Sequence, residues 1–296
     1  MTLAPDVDAV YGLDFSAAAT TAGASTWVAR CVPRDGALVV EELASAAEFL
    51  GLDSTDREDA LPALVDHFRG LANGSVAGGD DAAGGGPDVV AGFDFPFGLP
   101  AWALREGQTW REFVAATPDR WGALEDVGDP ADLFRRVADE ADRRGLSERR
   151  ASDDEHGGQA PAGWRIKTQT YYGISALLRP LVACDGVRVP PVLDADEPTL
   201  TVLETYPAAV FDRIDGAVRE EYKGSQRRHV ERRRRNADAL VAAGVSFGDD
   251  AARDCAVATD DALDAVAAAH AAARNYPGTS PAEAGDSERR EARIYA

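Results

Sequence analysis

Residues 8–15, which are Asp8-Ala9-Val10-Tyr11-Gly12-Leu13-Asp14-Phe15, form a mostly apolar stretch with a carboxylate near its end. This pattern predicts a first strand over Asp8–Phe15. Two further strands are predicted over Ser25–Val32 and Ala37–Leu43, with Arg34-Asp35-Gly36 as the turn between them. The chain is therefore expected to open with a three-stranded meander.

A helix and a buried strand are predicted after the meander. Apolar residues at helical spacing indicate an amphipathic helix over Ala60–Leu71, with Pro62 in its first turn. The continuous apolar run Pro87–Phe93 is typical of a parallel strand buried on both faces. Gly74–Pro87, rich in Gly and Asp, is predicted to be a surface loop. This order of elements indicates an α/β protein.

The next hundred residues have a different character. Helices are predicted over Trp102–Ala115, Pro130–Arg144 and Tyr171–Leu181, and the polar segment Leu146–Gly163 separates the last two. We interpret Phe97–Glu197 as a helical insertion over the carboxyl edge of the sheet, within a single domain spanning residues 1–296. Its tryptophans are expected to form a core for the insertion rather than a stacking platform; they are Trp102, Trp110, Trp121 and Trp164.

The chain after the insertion returns to the sheet. A strand is predicted over Thr199–Leu203, and a short extended segment over Arg293–Tyr295. Between them, helices are predicted over Ser225–Gly244 and Thr259–Arg274.

Five acidic residues stand out by their position. Asp14, Asp94 and Glu204 each end an apolar stretch, whereas Asp261 and Asp264 share one face of a predicted helix. A carboxylate at Asp94, between two phenylalanines, costs free energy unless it is paired or bound to a metal. Carboxylates gathered from strand ends are the usual ligands of Mg²⁺ or Mn²⁺. We therefore predict that Asp14, Asp94, Glu204 and Asp264 hold Mg²⁺ or Mn²⁺, with Asp261 as a further catalytic candidate.

Each acid also has a structural interpretation. Asp14 could end its strand in a turn, and Glu204, just ahead of Pro207, could stabilise a helix dipole. Asp261 suits the charge preference of a helix N-terminus, whereas Asp264 lies one turn further in. The helix dipole therefore explains Asp264 less well than Asp261.

The composition is strongly acidic. The net charge is −20, and Lys167 and Lys223 are the only lysines. This resembles the composition of proteins adapted to molar salt, where the Debye length is only about 3 Å. Most acidic residues are then expected to be solvated surface groups. In strong salt the net charge does not argue against a nucleic-acid partner.

Basic residues are concentrated in a few places. The run from Arg227 to Arg235 contains six arginines and one glutamate. Such a run predicts contacts to a phosphate backbone, although the arginines could equally pair with carboxylates of the same chain. The predicted nucleic-acid contacts are Lys167, Lys223, Arg227, Arg228, Arg149 and Arg150.

The sequence argues against some other classes of site. Cys31, Cys184 and Cys255 are far apart and lack C-x-x-C spacing, which disfavours a zinc site or a disulfide framework. No apolar run approaches the roughly 20 residues of a membrane helix, and the first residues lack a secretory pattern. We therefore expect a cytoplasmic protein.

Several short segments, in this order along the chain, resemble a known family. They are Gly12-Leu13-Asp14-Phe15-Ser16, Asp94-Phe95-Pro96-Phe97-Gly98-Leu99-Pro100, Arg149-Arg150-Ala151-Ser152-Asp153, Glu204-Thr205-Tyr206-Pro207-Ala208, Asp261-Ala262-Leu263-Asp264-Ala265 and Glu291-Ala292-Arg293-Ile294-Tyr295. Together they resemble the RNase H-like superfamily, and most closely family 429 of the domains of unknown function, described as predicted nucleases. The final Asp pair also resembles the last helix of Holliday-junction resolvases.

The resemblance implies the fold more directly than the reaction. We expect an RNase H-like mixed sheet of five strands, three antiparallel and then parallel ones, with helices on both faces. The implied function is hydrolysis of nucleic-acid phosphodiester bonds at a Mg²⁺ or Mn²⁺ site. One alternative is a kinase-like ATPase, which predicts a second Gly-rich phosphate loop that the sequence does not show. Another is a nucleic-acid or protein adaptor in which the carboxylates are idle.

Overall fold

A single mixed sheet of eight strands organises the chain. A computed structural model describes residues 6–74 and 88–296, so the predicted loop Gly74–Pro87 lies, except for Gly74, outside the described residues. The strands are β1 (Ala9–Asp14), β2 (Trp27–Arg34), β3 (Ala37–Ser45), β4 (Val89–Asp94), β5 (Val187–Arg188), β6 (Leu200–Thr205), β7 (Val245–Phe247) and β8 (Ile294–Tyr295). Their order is β5-β6-β4-β1-β2-β3-β7, and β8 pairs with β6.

The directions of the strands follow the predicted pattern. β2 runs antiparallel to both β1 and β3, and the other strand pairs are parallel. The predicted number of strands is wrong, because three strands of two or three residues, β5, β7 and β8, extend the five long ones. Strands this short carry too few residues for an alternating pattern. Of the three, β8 falls within the extended segment predicted over Arg293–Tyr295.

Thirteen α-helices are present in the described residues. They are α1 (Ala22–Ser25), α2 (Ala46–Leu50), α3 (Arg57–Ala72), α4 (Trp110–Ala116), α5 (Pro130–Arg144), α6 (Ala151–His156), α7 (Lys167–Tyr172), α8 (Arg179–Leu181), α9 (Pro207–Arg213), α10 (Arg227–Ala242), α11 (Asp250–Ala258), α12 (Asp260–Asn275) and α13 (Glu288–Glu291). A π-helix, Gly173–Leu178, joins α7 to α8, and Ala101–Ala103 is a 3₁₀ turn. None of these helices is long and apolar enough to cross a bilayer.

Three predicted helices have clearly different starts in the structure, and one of them is the helix predicted over Tyr171–Leu181, which begins at Lys167 and includes the π-helix. α4 begins only at Trp110, because Thr109 and Glu112 form a capping box that fixes its first turn. α3 begins at Arg57, so Pro62 lies inside the helix rather than in its first turn. Proline in the helix interior removes one backbone hydrogen bond. Pro62 is exposed, which leaves the freed carbonyl accessible to water.

Helices cover both faces of the sheet. On one face α3 and the insertion pack around residues such as Phe68, Phe93 and Trp121. On the other face α9, α10 and α12 pack around residues such as Val90 and Leu240. Helices are the main regular structure of the segment predicted as a helical insertion, which also supplies β5 to the edge of the sheet.

α12 lies unusually close to the sheet because two glycines face it. Gly12 of β1 and Gly92 of β4 are partners in the parallel register. A Cβ atom at Gly12 would lie 1.9 Å from the carbonyl oxygen of Ala265, and one at Gly92 would lie 2.3 Å from that of Ala268. Only glycine permits this approach of backbone to backbone. The buried alanines of α12, such as Ala265 and Ala268, complete the contact.

Candidate metal centre

Asp14 and Asp94 are brought together by strand pairing. Each is the last residue of its strand, and the parallel register of β1 and β4 places the two opposite each other. The apolar residues before them, such as Leu13 and Phe93, are fully buried and fix the strands in the core. Both carboxylates therefore emerge at the carboxyl edge of the sheet, where α/β proteins commonly bind ligands.

Asp264 reaches the same point from α12. The helix begins at Asp260, and its close packing over Gly12 brings the first turns of α12 to the carboxyl edge of the sheet. Oxygen atoms of Asp14, Asp94 and Asp264 all lie within 4.8 Å of one another. Asp14 and Asp264 are buried, and Asp94 is partly buried. The predicted convergence of these three acids is confirmed, and the cluster could hold a metal ion.

Burial and mutual repulsion raise the pKa values of these groups. The pKa of Asp14 lies well above its ordinary value because the group is desolvated and because Asp264 and Asp94 are adjacent. Desolvation is also the main reason that the pKa of Asp94 rises to about 7. The pKa of Asp264 is raised by burial, although Lys223 opposes the shift. Three carboxylates in this arrangement therefore favour a bound cation over solvent alone.

Lys223 supplies one positive charge to the cluster. Its Nζ lies 2.6 Å from Oδ2 of Asp264, while the side chain remains 55% exposed. Desolvation lowers the pKa of Lys223, but the charges around it, Asp264 first among them, outweigh this and hold the pKa above its ordinary value. The neighbouring Tyr222 donates a hydrogen bond of 2.9 Å to Oδ1 of Asp264. Lys223, predicted as a nucleic-acid contact, is thus placed directly at the carboxylates.

A buried arginine of α10 fixes the loop that carries Lys223. Arg233 donates hydrogen bonds of 2.7 and 2.8 Å to the carbonyl oxygens of Tyr222 and Gly224, the residues on either side of Lys223. The same guanidinium donates to the carbonyl oxygens of Val257 and Ala258 at the end of α11. One member of the basic run is therefore a structural residue, although its partners are backbone carbonyl oxygens rather than the carboxylates of the alternative interpretation.

Glu204 lies outside the three-carboxylate cluster. Arg150 forms a bidentate ion pair with it, in which Nη1 lies 2.7 Å from Oε2, and the backbone N–H of Phe97 donates to Oε2 at 3.0 Å. Both of its carboxylate oxygens thus already have donors, and Oε2 has two. The structure therefore places this predicted ligand outside the cluster of Asp14, Asp94 and Asp264, although Glu204 lines the same cavity.

Arg150 is not the exposed nucleic-acid contact that was predicted. Its side chain is 0% exposed, and all five of its N–H donors are used. The acceptors are Asp153, Glu204 and the carbonyl oxygen of Glu291. Burial would lower the pKa of Arg150, but the two carboxylates outweigh it and raise the pKa above its ordinary value. Arg150 is buried with every donor paired because a buried charge costs desolvation free energy, which only complete pairing offsets. A guanidinium in this state is not available to a nucleic acid.

The remaining predicted residues are spread around the centre. Asp261 is partly buried at the start of α12, and its pKa is raised to about 6, chiefly by desolvation. Arg149 is exposed and lies 3.5 Å from Asp154. Arg227 and Arg228 are exposed at the start of α10, where Arg227 pairs with Glu231.

A cavity of about 250 Å³ opens beside the carboxylates. Asp14, Asp94, Asp261 and Lys223 line it, together with Gln159 and Gln169 of the insertion. Gln169 also donates a hydrogen bond of 2.6 Å to the carbonyl oxygen of Phe15, which ties the insertion to the end of β1. Residues of the segment Phe97–Glu197 therefore line the cavity at the carboxyl edge of the sheet.

Two features of this site escaped the sequence reasoning. The Arg150–Asp153 pair has the i, i+3 spacing of a helical ion pair, a local signal that could have marked Arg150 as structural. The hydrogen bond from Tyr222 to Asp264 joins residues 42 positions apart and had no local signal.

Residues 12–289 match the family described as Protein of unknown function (DUF429). The chain belongs to this family. The match confirms the resemblance to family 429, and it spans all of the acidic positions from Asp14 to Asp264. Comparisons with curated proteins and with solved structures found no significant match.

Proposed function

We propose that this protein is a divalent-metal-dependent hydrolase that cleaves phosphodiester bonds of nucleic acid. The observation that carries the proposal is the convergence of Asp14, Asp94 and Asp264 within 4.8 Å, beside a cavity at the carboxyl edge of the sheet. Carboxylate clusters of this kind hold the ions that activate water and stabilise charge in phosphoryl transfer.

The fold supports an RNase H-like assignment as part of this proposal. The five long strands lie in the order β3-β2-β1-β4-β6, with antiparallel pairs on one side of β1 and parallel pairs on the other. This agrees with the three antiparallel and then parallel strands that the resemblance implies. Membership of the DUF429 family supports the same assignment, since the resemblance linked the two.

The donor set suits Mg²⁺ or Mn²⁺. All three candidate ligands are carboxylates, and hard divalent ions prefer oxygen. Three negative charges face the single positive charge of Lys223, so the cluster keeps a net negative charge. When bound, the ion would supply Lewis acidity and lower the pKa of water.

The residues around the cluster have separate tasks in this proposal. Asp14 and Asp94 present oxygens from rigid strand ends, and Tyr222 orients Asp264 through its hydrogen bond. Lys223 is placed to interact with a substrate phosphate, because its ammonium group is both at the cluster and partly exposed. The Arg150–Glu204 pair is a positioning element, since Glu204 binds the backbone N–H of Phe97 just after β4.

The proposal is tested with single-stranded, duplex and branched nucleic acids in molar KCl with Mg²⁺ or Mn²⁺. We expect Asp14→Asn to lower the cleavage rate by more than about 100-fold, the upper range for loss of a supporting group around a metal. Its fold, followed by circular dichroism, should be retained. The exposed Asp254 provides the control, and Asp254→Asn should cleave at the wild-type rate.

Other outcomes would reject the nuclease. Undiminished Mn²⁺-dependent cleavage by Asp14→Asn would show that these carboxylates are not the centre. ATP turnover without any nuclease activity would favour the kinase-like alternative. If the wild-type protein does not bind Mn²⁺ in a calorimetric titration, the adaptor with idle carboxylates is the better description.

A further inference from the structure

Trp164 differs from most of the tryptophans of the insertion. Trp110 and Trp121 are buried in the core of the insertion, as predicted, but Trp164 is 69% exposed. Exposed large apolar side chains are few in the described residues, and the others are Leu146 and Val241. The expectation that Trp164 belongs to the core is therefore wrong.

The exposed indole is held in a fixed position. Nζ of Lys167 lies 3.6 Å from the centre of the Trp164 ring, and it also donates a hydrogen bond of 2.7 Å to the carbonyl oxygen of Trp164. The edge of Phe134 meets the ring at an interplanar angle of 70°, with the centroids 5.8 Å apart. A ring restrained in this way loses little conformational entropy when a ligand stacks on it.

Trp164 follows a residue that lines a cavity next to the one at the carboxylates. Gln159 lines the cavity beside the metal centre and also lines a second, shallower cavity of about 430 Å³. Leu146, Arg149 and Gly163 line this second cavity, and Trp164 follows Gly163 directly in the chain. The cavity at the carboxylates and the cavity beside Trp164 therefore share the wall formed by Gln159.

Ion pairing with phosphate is not favoured at this second cavity. Asp142 and Glu148 line it together with Arg149, so its walls carry more negative than positive charge and repel a phosphate backbone unless salt screens them. Contacts to phosphate also weaken steeply as salt rises. Stacking of a base on an aromatic ring does not depend on counterion release, and it suits a strongly acidic protein.

We propose that Trp164, fixed by Lys167, is a stacking platform for an unpaired base of a single-stranded nucleic acid. This inference rests on the proposed function and specifies its substrate class, because a base within a duplex is already stacked on its neighbours. The platform would hold a base outside the metal centre, with Arg149 beside the connecting backbone.

The test measures binding separately from cleavage. Short oligothymidylate, oligouridylate and a blunt duplex are titrated in EDTA, followed by anisotropy of a labelled strand and by quenching of tryptophan fluorescence. We expect both single strands to bind more tightly than the duplex. Trp164→Ala should weaken single-strand binding about tenfold, within the range for loss of one base stack.

Two variants make the test specific. Trp164→Phe keeps an aromatic face and should retain most of the affinity, whereas Val241→Ala removes an exposed apolar side chain on α10 and should bind as wild type does. Unchanged binding by Trp164→Ala, or equal loss in Trp164→Phe, would overturn the platform. So would tighter binding of the duplex, or no binding of either single strand.

The result is independent of the chemistry at the carboxylates. Binding that depends on Trp164 without any metal-dependent cleavage would support the platform and reject the nuclease. The opposite result is metal-dependent cleavage of a small phosphodiester with no effect of Trp164→Ala on oligonucleotide binding. It would support the metal-dependent hydrolase and reject the platform.

Discussion

Asp94, a candidate metal ligand, destabilises the metal-free protein when its carboxyl group is ionised. Its pKa of about 7 lies above the roughly 3.9 expected in an unfolded chain. The folded state therefore binds the proton more tightly, and the stability contributed by this group is present below about pH 4 and lost as the pH rises to about 7. At neutral pH, without a metal, the ionised cluster opposes folding.

Neutralising Asp94 should therefore stabilise the metal-free protein. We expect Asp94→Asn to raise the free energy of unfolding at about pH 8 by on the order of 1–3 kcal/mol, measured by urea denaturation in EDTA. The gain should shrink towards pH 4, and added Mg²⁺ should stabilise the variant less than it stabilises the wild type.

The control for this prediction is again Asp254→Asn, which removes an exposed charge and should change stability by less than about 0.5 kcal/mol. If Asp94→Asn is less stable than the wild type at pH 8 in EDTA, the carboxylates do not repel one another as described.

At the scale of elements, the position of α12 decides whether the centre forms. The helix meets β1 and β4 through Gly12 and Gly92, where a side chain would collide with helix carbonyl oxygens. Because Asp264 is on the helix and Asp14 and Asp94 are on the strands, the distance between these elements sets the distance between the ligands.

Gly12→Ala should therefore damage both stability and metal binding. The added methyl group would force α12 away from the sheet, and overpacking of this kind costs roughly 1–3 kcal/mol or more. We expect a lower midpoint of thermal unfolding and weaker Mn²⁺ binding by calorimetry. Gly285→Ala is the matched control, since its nearest atom would be 3.7 Å away on a side chain. Wild-type Mn²⁺ affinity in Gly12→Ala would show that the contact does not position Asp264.

At the scale of the whole molecule, the net charge of −20 governs how stability responds to salt. Raising KCl from about 0.1 M to about 1 M shortens the Debye length from about 10 Å to about 3 Å, which screens repulsion between surface carboxylates. We expect the midpoint of thermal unfolding to rise over this range. Sucrose, which acts by exclusion from the surface, separates screening from general stabilisation. A constant or falling midpoint in KCl would contradict the prediction.

Much of the architecture follows from local patterns in the chain. The five long strands, α5, α10 and α12 were predictable because alternating, continuous or helical apolar patterns lie within one element. The position of Asp14, Asp94 and Asp264 at element ends was also visible, since parallel strands deliver their carboxyl ends to one edge. Short elements such as β5 and β7 were not predictable, because they form only where a neighbouring strand is available.

By itself, the amino-acid sequence determined the α/β class, the family and the acids that could meet. Only the tertiary structure decided which acids share one centre. Glu204 forms an ion pair with Arg150, which is 54 residues away in the chain, and this pairing cannot be read from local sequence. The tertiary structure also decided that Trp164 faces water while Trp121 is buried, although both lie in the same insertion. Local patterns depend on neighbours along the chain, whereas pairing and burial of single side chains depend on segments that meet only after folding.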